Sequence, residues 1–155
     1  NLMNEIVTNA ENLRNMALIL SLNNRLKDAL VKINGAIRLN PDQPEYLLQR
    51  GILHKRLRDF NSCIDDFLNG VERMHQSKSN DEVLTKNFQR QILLTYNEFA
   101  IQCYEKQFYD EAILLLDKAI KLEKNEKGFY INRGDCFYKK QEKTFALLDY
   151  EQALE

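Results

Sequence analysis

Apolar and small residues recur three or four positions apart along most of the chain, in segments separated by short polar breaks. Near the start of the chain these positions are Leu13, Met16, Ala17 and Leu20 and, after a break at Asn23 and Asn24, Leu26, Ala29, Ile33 and Ala36. This spacing places the apolar side chains on one face of a helix. The pattern therefore predicts two helices, and the short break between them favours an antiparallel pair.

The predicted helix pair recurs along the chain, because residues of similar type return at spacings of 34, 49 and 34. Three such registers are Ala17, Gly51, Ala100 and Gly134; Ala29, Cys63, Ala112 and Ala146; and Ile33, Phe67, Leu116 and Tyr150. A period of 34 residues is typical of helix pairs that must stack on their neighbours to bury their apolar faces. The chain is therefore predicted to be all-α, an α-solenoid of stacked antiparallel helix pairs.

We place four repeats in a single domain that covers residues 1–155. Their bounds are about 10–43, 44–77, 93–126 and 127–155, the last repeat being truncated. The spacing of 49 is 34 plus an insertion of 15 residues, at about 78–92. The apolar spacing continues through the second half of this insertion, so we expect it to extend the first helix of the third repeat.

Two further expectations concern the insertion. Ser79 and Glu82 have the spacing of a capping box, in which the serine caps the helix and the glutamate reaches back to it. We also expect the extended helix to carry Phe88, Gln91 and Ile92 beyond the neighbouring repeat. There they would either form a second docking surface or brace the bend between the second and third repeats.

The repeats resemble the tetratricopeptide repeat, a family with a large, a small and an aromatic residue in fixed order on its first helix and alanines on its second. The residues that carry the resemblance are Leu47, Gly51, Phe60 and Phe67; Tyr96, Ala100, Tyr109, Ala112 and Ala119; and Tyr130, Gly134, Phe137, Ala146, Tyr150 and Ala153. The chain departs from the family in having no Trp, in having only Pro41 in the terminal proline position, and in having Lys143 at an apolar position. The resemblance covers residues 10–155 and implies a right-handed superhelix whose concave wall is formed by the first helices.

The resemblance also implies that this concave wall is a groove for a partner protein. Helical projection assigns to the groove Leu18, Leu22, Leu48, Ile52, Lys55, Arg56, Ile101, Tyr104, Ile131, Tyr138 and Lys139. Most of these side chains are aliphatic or aromatic, which suits an amphipathic helix or an apolar peptide segment, and the basic ones suit acidic flanks. We therefore expect a protein-interaction module or scaffold.

Two alternatives stay open from the sequence. The apolar wall is covered by another part of the same chain or by the next repeat of a tight superhelix. Or the chain is an architectural segment of a large assembly, such as a ciliary or cytoskeletal one, with contacts on its convex face and insertion. A solenoid whose outer face carries the contacts would tolerate a charged residue in the groove.

One partner known for the family does not suit this chain. Family members that grip the acidic C-terminus of chaperones hold its carboxylate with Lys, Asn and Arg side chains. The matching positions here are Arg14, Leu18, Gln49, Leu94 and Glu98. Because Glu98 would repel a carboxylate and Leu18 cannot donate a hydrogen bond, we do not expect the chain to bind chaperone tails.

Charge and hydropathy argue against nucleic-acid and membrane partners. The 22 basic and 23 acidic residues give a net charge of −1 and are interleaved, so no basic stripe is present for phosphates. No apolar run approaches the roughly 20 residues that span a bilayer. We therefore expect a cytoplasmic protein, and the architectural alternative would place it at the cilium or the cytoskeleton.

The sequence offers little material for catalysis or for a cofactor. Cys63, Cys103 and Cys136 are dispersed and lack the spacing of a zinc site or a disulfide framework. His54 shares a register with apolar residues and is interpreted as a packing residue, and His75 falls in a turn. Since no phosphate-binding loop or hydrolase motif occurs, we expect no enzyme activity, metal or cofactor.

Overall fold

The protein consists of helices joined by short turns, and its computed structural model describes residues 1–155. The eight helices are α1 (Leu2–Leu22), α2 (Leu26–Leu39), α3 (Pro44–Arg56), α4 (Phe60–Gln76), α5 (Glu82–Glu105), α6 (Tyr109–Leu122), α7 (Lys127–Lys139) and α8 (Lys143–Leu154). In the first, second and fourth repeats the second helix packs on the first: α2 on α1, α4 on α3 and α8 on α7. The predicted all-α fold of helix pairs is confirmed.

The chain forms two compact units, Asn1–Ile92 (unit 1) and Leu93–Glu155 (unit 2), and the boundary falls within α5. Each unit contains two repeats, and residues 10–72 of unit 1 correspond to residues 93–155 of unit 2 at a constant offset of 83. Ala17 and Ala100 are one such pair of equivalent residues, and Gly51 and Gly134 are another. Our assignment of one domain to residues 1–155 stays a prediction.

The turn between the two helices of each repeat has the same backbone conformation in all four copies. Its key residue has a positive φ, and the four residues are Asn24 (61°), Arg58 (64°), Gln107 (68°) and Gln141 (64°). The N–H of the following residue donates to a carbonyl in the last turn of the helix, as Arg25 N does to Leu20 O at 2.8 Å. This is the Schellman arrangement, here formed without the glycine that usually marks it.

Close packing of the helix pairs requires two of the helical glycines. A Cβ atom on Gly51 would lie 2.4 Å from Cε1 of Phe67, and one on Gly134 would lie 2.8 Å from Cε1 of Tyr150. Both aromatic rings come from the second helix of the same repeat. The small residue on the first helix is therefore what lets the large aromatic residue of the second helix reach the core.

The insertion forms the N-terminal part of α5, which has 24 residues where α3 and α7 have 13 each. Its cap is Asp81, whose Oδ1 accepts from Leu84 N at 3.0 Å, while Ser79 Oγ accepts from Asp81 N at 3.3 Å. The expected cap at Ser79 with Glu82 is wrong, because the helix begins at Glu82 and only Asp81 stands directly before it.

The extended part of α5 is packed onto unit 1. Phe88 is fully buried, contacts Phe67 edge to face at a centroid distance of 6.4 Å, and occupies the space beside Gly70. Ile92 is buried as well, and Gln91 Oε1 accepts from Lys55 Nζ at 3.0 Å. The expectation that Phe88 and Ile92 project as a docking surface is wrong, because Gly70 leaves room for the phenyl ring in the core.

Each unit contains one arginine that joins three helices. Arg50 of α3 makes two parallel hydrogen bonds to Asp66 of α4, at 2.9 and 2.7 Å, and a third to Asn34 of α2 at 3.1 Å. The side chain of Asp66 is only 5% exposed. A buried carboxylate depends on such bidentate contacts to offset the loss of hydration.

The same arrangement recurs in unit 2 at the equivalent residues. Arg133 of α7 binds Asp149 of α8 at 2.9 and 2.7 Å and Asp117 of α6 at 2.8 Å. These hydrogen bonds, above all those to Asp149, raise the pKa of Arg133 above its ordinary value. We call the two arrangements the arginine forks. They lock the second repeat of each unit onto the second helix of the first.

Candidate functional site: the seams between first helices

The predicted groove residues of unit 1 lie on two adjacent first helices, α1 and α3. Leu18 and Leu22 of α1 are 39% and 85% exposed, and Arg56 of α3 is exposed. Leu48, Ile52 and Lys55 of α3 are half-buried. Residues three and four apart share one side of a helix, so each helix turns these side chains to the same face.

The line along which α1 meets α3, the unit 1 seam, is closed by hydrogen bonds at two places. At one, Arg14 Nε donates to Gln49 Oε1 at 3.1 Å, and Gln49 Nε2 donates back to the Arg14 carbonyl at 3.2 Å. At the other, Arg56 Nη1 donates to the carbonyl of Ser21 at 3.1 Å and to its Oγ at 2.8 Å. Leu18 lies between these two ties in the helical register of α1, as Ile52 does in that of α3.

The basic residues of the unit 1 seam are held in place by hydrogen bonds. Arg56 donates to Ser21 and, at 3.4 Å, to the amide oxygen of Asn24. Lys55 donates to the amide oxygen of Gln91. The acceptors of Arg56 are neutral, so this cation lies beside an apolar surface in a defined position.

The predicted residues of unit 2 lie on α5 and α7. Ile101, Ile131 and Tyr138 are 40%, 45% and 58% exposed, Lys139 is exposed and Tyr104 is half-buried. The line between the two helices, the unit 2 seam, is tied at one place. There the amide nitrogen of Asn132 donates to Asn97 Oδ1 at 2.8 Å, and these residues are equivalent to Gln49 and Arg14.

At the second place the unit 2 seam opens into a cleft of about 320 Å³. Tyr104, at the position of Ser21, lines this cleft, whereas Lys139, at the position of Arg56, lies outside it. The lining of the cleft comes from α5, α6 and α7 and consists of Ala100, Ile101, Tyr104, Glu105, Leu116, Asn132, Asp135 and Cys136. Ile101 and Tyr104 are the two predicted groove residues that it includes. Ile131, Tyr138 and Lys139 are not part of its lining.

Asp135 gives this cleft a charged wall. Its Oδ1 accepts a hydrogen bond of 2.6 Å from the hydroxyl of Tyr150. Burial and this hydrogen bond raise the pKa of Tyr150, so the hydroxyl keeps its proton and stays a donor. The equivalent positions in the other repeats hold Leu18, Ile52 and Ile101, so the carboxylate replaces an aliphatic side chain.

Cys136 and His54 are two further residues with chemically active side chains, and they differ in their surroundings. Burial raises the pKa of the Cys136 thiol to about 11, which keeps this sulfur protonated and unreactive. His54 lies with Nε2 3.6 Å from Asp66 Oδ2 and Nδ1 3.9 Å from Asp59 Oδ2, a more polar environment than the apolar register suggested. No group of three or more His, Cys, Asp or Glu side chains is placed to hold a metal ion. None of the helices has the length and apolar character needed to span a membrane.

No protein-family model matches the chain. Its sequence and its fold are nevertheless similar to those of several known proteins. It is 43% identical over 153 residues to "Tetratricopeptide repeat protein 16" of Macaca fascicularis. The matched region covers 99% of this chain and 17% of that protein. It is 22% identical over 148 residues to "Hsp70-Hsp90 organising protein" of Plasmodium falciparum, covering 84% of this chain and 26% of that protein. The crystal structure of MamA shares the fold, with a TM-score of 0.59 at 16% identity over 94% of this chain and 77% of that chain.

Proposed function

Because this chain belongs to the tetratricopeptide repeat family, we propose that it holds an apolar or amphipathic segment of a partner protein against the seams of its first helices. In general terms such a protein is a scaffold for protein interactions. The chain spans 17% of the length of its macaque relative. What this chain binds is therefore proposed from its own residues and is not taken from the relative.

The observation that carries the proposal is that exposed apolar side chains lie on first helices that are joined to each other by hydrogen bonds. Leu22 is 85% exposed and Leu18 39% exposed beside the two ties of the unit 1 seam. Ile101 and Ile131 are exposed to a similar degree as Leu18 in unit 2. Aliphatic side chains of this kind, on helices that need not reorganise, gain the free energy of burial without a large loss of conformational entropy.

Charge and shape narrow the class of partner segment. Lys55 and Arg56 lie next to the apolar residues of unit 1, so the part of the segment that lies there should carry acidic residues at its edge. Leu18 and Glu98 stand where a clamp for a chaperone tail would need donors, which disfavours that ligand despite the similarity to the Plasmodium protein. We propose neither a nucleic-acid nor a membrane partner and no catalytic role.

A peptide selection would test the proposal. Peptides displayed on phage would be selected on the immobilised chain, and the affinities of synthetic copies would be measured by titration calorimetry. We expect Leu22→Glu to weaken the peptides that bind unit 1 and Ile131→Glu to weaken those that bind unit 2, each by about tenfold or more, because a charge would be buried against an apolar segment.

The matched control is Leu147→Glu, since Leu147 is 57% exposed on α8, a second helix. This variant should bind the selected peptides as the unchanged chain does. Equal helicity of all three variants by circular dichroism would exclude unfolding as the cause. Peptides that bind every first-helix variant normally would contradict the proposal.

A second candidate is the architectural role, with contacts on the second helices. Val31, Leu114 and Leu148 occupy equivalent positions on α2, α6 and α8 and are 63%, 62% and 56% exposed. Exposed aliphatic side chains at this position in both units favour a protein contact on the second helices too. If Leu114→Glu weakened the selected peptides and Ile131→Glu did not, this candidate would replace the first. The cytoplasmic, ciliary or cytoskeletal location remains a prediction in either case.

A further inference from the structure

We infer that the cleft in the unit 2 seam receives an arginine side chain of the partner segment. The inference rests on the proposed function and adds the chemistry of one contact. It follows from the apolar walls of the cleft, from the acceptors at its mouth and from what fills the equivalent place in unit 1.

The inner part of the cleft suits an aliphatic stem. Ala100 and Leu116 are almost fully buried and form its floor with Cys136, whose thiol is protonated. Ile101 and the ring of Tyr104 form the α5 wall. Arginine and lysine both bury their methylene groups on surfaces of this kind and keep their charged ends in contact with polar groups.

The polar groups of the cleft are acceptors. Asp135 uses Oδ1 for the Tyr150 hydroxyl, which leaves Oδ2 for another donor. Glu105 is exposed at the end of α5. Asn132 uses its amide nitrogen for Asn97, which leaves its carbonyl oxygen as an acceptor. Three acceptors on two helices suit a planar guanidinium with its five N–H donors better than the compact ammonium of lysine.

The protein supplies no cation of its own to these carboxylates. Neither Asp135 nor Glu105 takes part in an ion pair, and Lys139, one turn along α7 from Asp135, forms none with them. The neighbouring Lys140 pairs with Asp110 and Glu142 instead. The two carboxylates are therefore open to a cation of the partner segment.

Unit 1 has a guanidinium of its own at the corresponding end of its seam. The guanidinium of Arg56 crosses from α3 to the carbonyl and hydroxyl of Ser21 on α1. In unit 2 the equivalent residues are Lys139 and Tyr104, which form no such bridge. An arginine from a partner would fill in unit 2 the place that the chain fills for itself in unit 1.

The test is an NMR titration of the ¹⁵N-labelled chain with Nα-acetyl-arginine methylamide and, in parallel, with the uncharged citrulline analogue. We expect the arginine compound alone to give saturable shifts at the amides of Ile101, Tyr104, Asn132 and Asp135. Asp135→Asn and Glu105→Gln should each weaken its binding by about tenfold, because a charge-assisted hydrogen bond becomes a neutral one. Asp135→Asn keeps an oxygen for the Tyr150 hydroxyl, and Glu151→Gln on exposed α8 is the matched control.

Two results would overturn the inference: no shifts at these amides, or equal shifts with the citrulline compound. The proposed function is judged separately, by the effect of Leu22→Glu and Ile131→Glu on the selected peptides. If these two variants weaken peptide binding but the arginine compound does not bind the cleft, only the inference about arginine is wrong. If the arginine compound binds the cleft but neither variant weakens any selected peptide, the proposed function is wrong.

Discussion

The two units have equivalent seams that end differently. In unit 1 the chain's own Arg56 bridges α3 to Ser21 of α1, whereas in unit 2 Lys139 and Tyr104 leave a cleft with Asp135 in its wall. The first tie of each seam is common to both, as Arg14 with Gln49 and as Asn97 with Asn132. One internal contact is therefore present in both units, and the other is replaced in unit 2 by an open cleft.

The arginine forks, unlike the second contact of each seam, are alike in both units. Arg50 and Arg133 make the same two contacts to a buried aspartate and one to the preceding second helix. Contacts that hold a repeat on its neighbour have thus been retained, and residues on the face of the first helices have diverged. This division is what a scaffold with a common framework and separate binding places requires.

The largest effect should come from the part of unit 1 that has no counterpart in unit 2. Phe88→Ala removes a fully buried ring from beside Phe67 and Gly70 and should lower the free energy of unfolding by about 4 kcal/mol. Urea unfolding followed by circular dichroism measures the loss. Phe145→Ala, at a phenylalanine that is 55% exposed, is the control and should cost well under half as much. Equal losses would show that the insertion is not part of the core.

The forks should be next in magnitude. Arg50→Met or Arg133→Met leaves a buried aspartate without its cation, and we expect each to lower the unfolding free energy by about 3 kcal/mol. Arg25→Met is the control, because the Arg25–Asp28 pair is 64% and 55% exposed and should contribute less than about 1 kcal/mol. A loss below 1 kcal/mol at both forks would mean that the two contacts are not what fastens the repeats.

A smaller effect, on binding rather than folding, should follow when the unit 1 tie is moved into unit 2. The double variant Tyr104→Ser, Lys139→Arg supplies the hydroxyl and the guanidinium of the Ser21–Arg56 contact. We expect it to weaken the binding of Nα-acetyl-arginine methylamide about tenfold, because a guanidinium fixed across the seam to residue 104 would hold a positive charge beside the cleft and repel a second one. Tyr104→Ser alone is the control for the lost ring. If the double variant bound as well as that control, the two seams would not be equivalent in the way proposed.

The smallest effect concerns the floor of the cleft. Burial raises the pKa of Cys136 to about 11, above the thiol value of 9.0 expected in the unfolded chain. A raised pKa in the folded state stabilises the fold below pH 9, and this contribution is lost as the pH rises from 9 through 11. The unfolding free energy of the unchanged chain should therefore fall more steeply over this range than that of Cys136→Ala. Parallel slopes would indicate that the thiol is not shielded from water.

The sequence predicted the helix pairs because the 34-residue period and the small residues at Gly51 and Gly134 reflect packing within each repeat. It did not reveal the forks, since Arg50 and Asp66 lie 16 residues apart on different helices and no local pattern marks such a pair. The Asp81 cap was missed because Ser79 and Glu82 have the spacing of a capping box, whereas the residue three positions after Asp81 is Leu84.

The candidate site shows the same limit. Helical projection found the side chains on the first helices, including Ile101 and Tyr104 of the cleft. Helical projection could not show that Arg56 is hydrogen-bonded to Ser21 whereas Lys139 forms no hydrogen bond to Tyr104, because these contacts depend on distances between helices. Which positions of a common register are open to a partner is therefore a property of the packed structure.

The bound segment can be located by titrating the ¹⁵N-labelled chain with the tightest of the selected peptides and following the amide chemical shifts. We expect the shifts to be concentrated on α1 and α3 around Leu18 and Ile52, or on α5 and α7 around Ile101 and Asp135. Shifts concentrated on the second helices, around Val31, Leu114 and Leu148, would contradict the proposed function and place the binding surface on those helices.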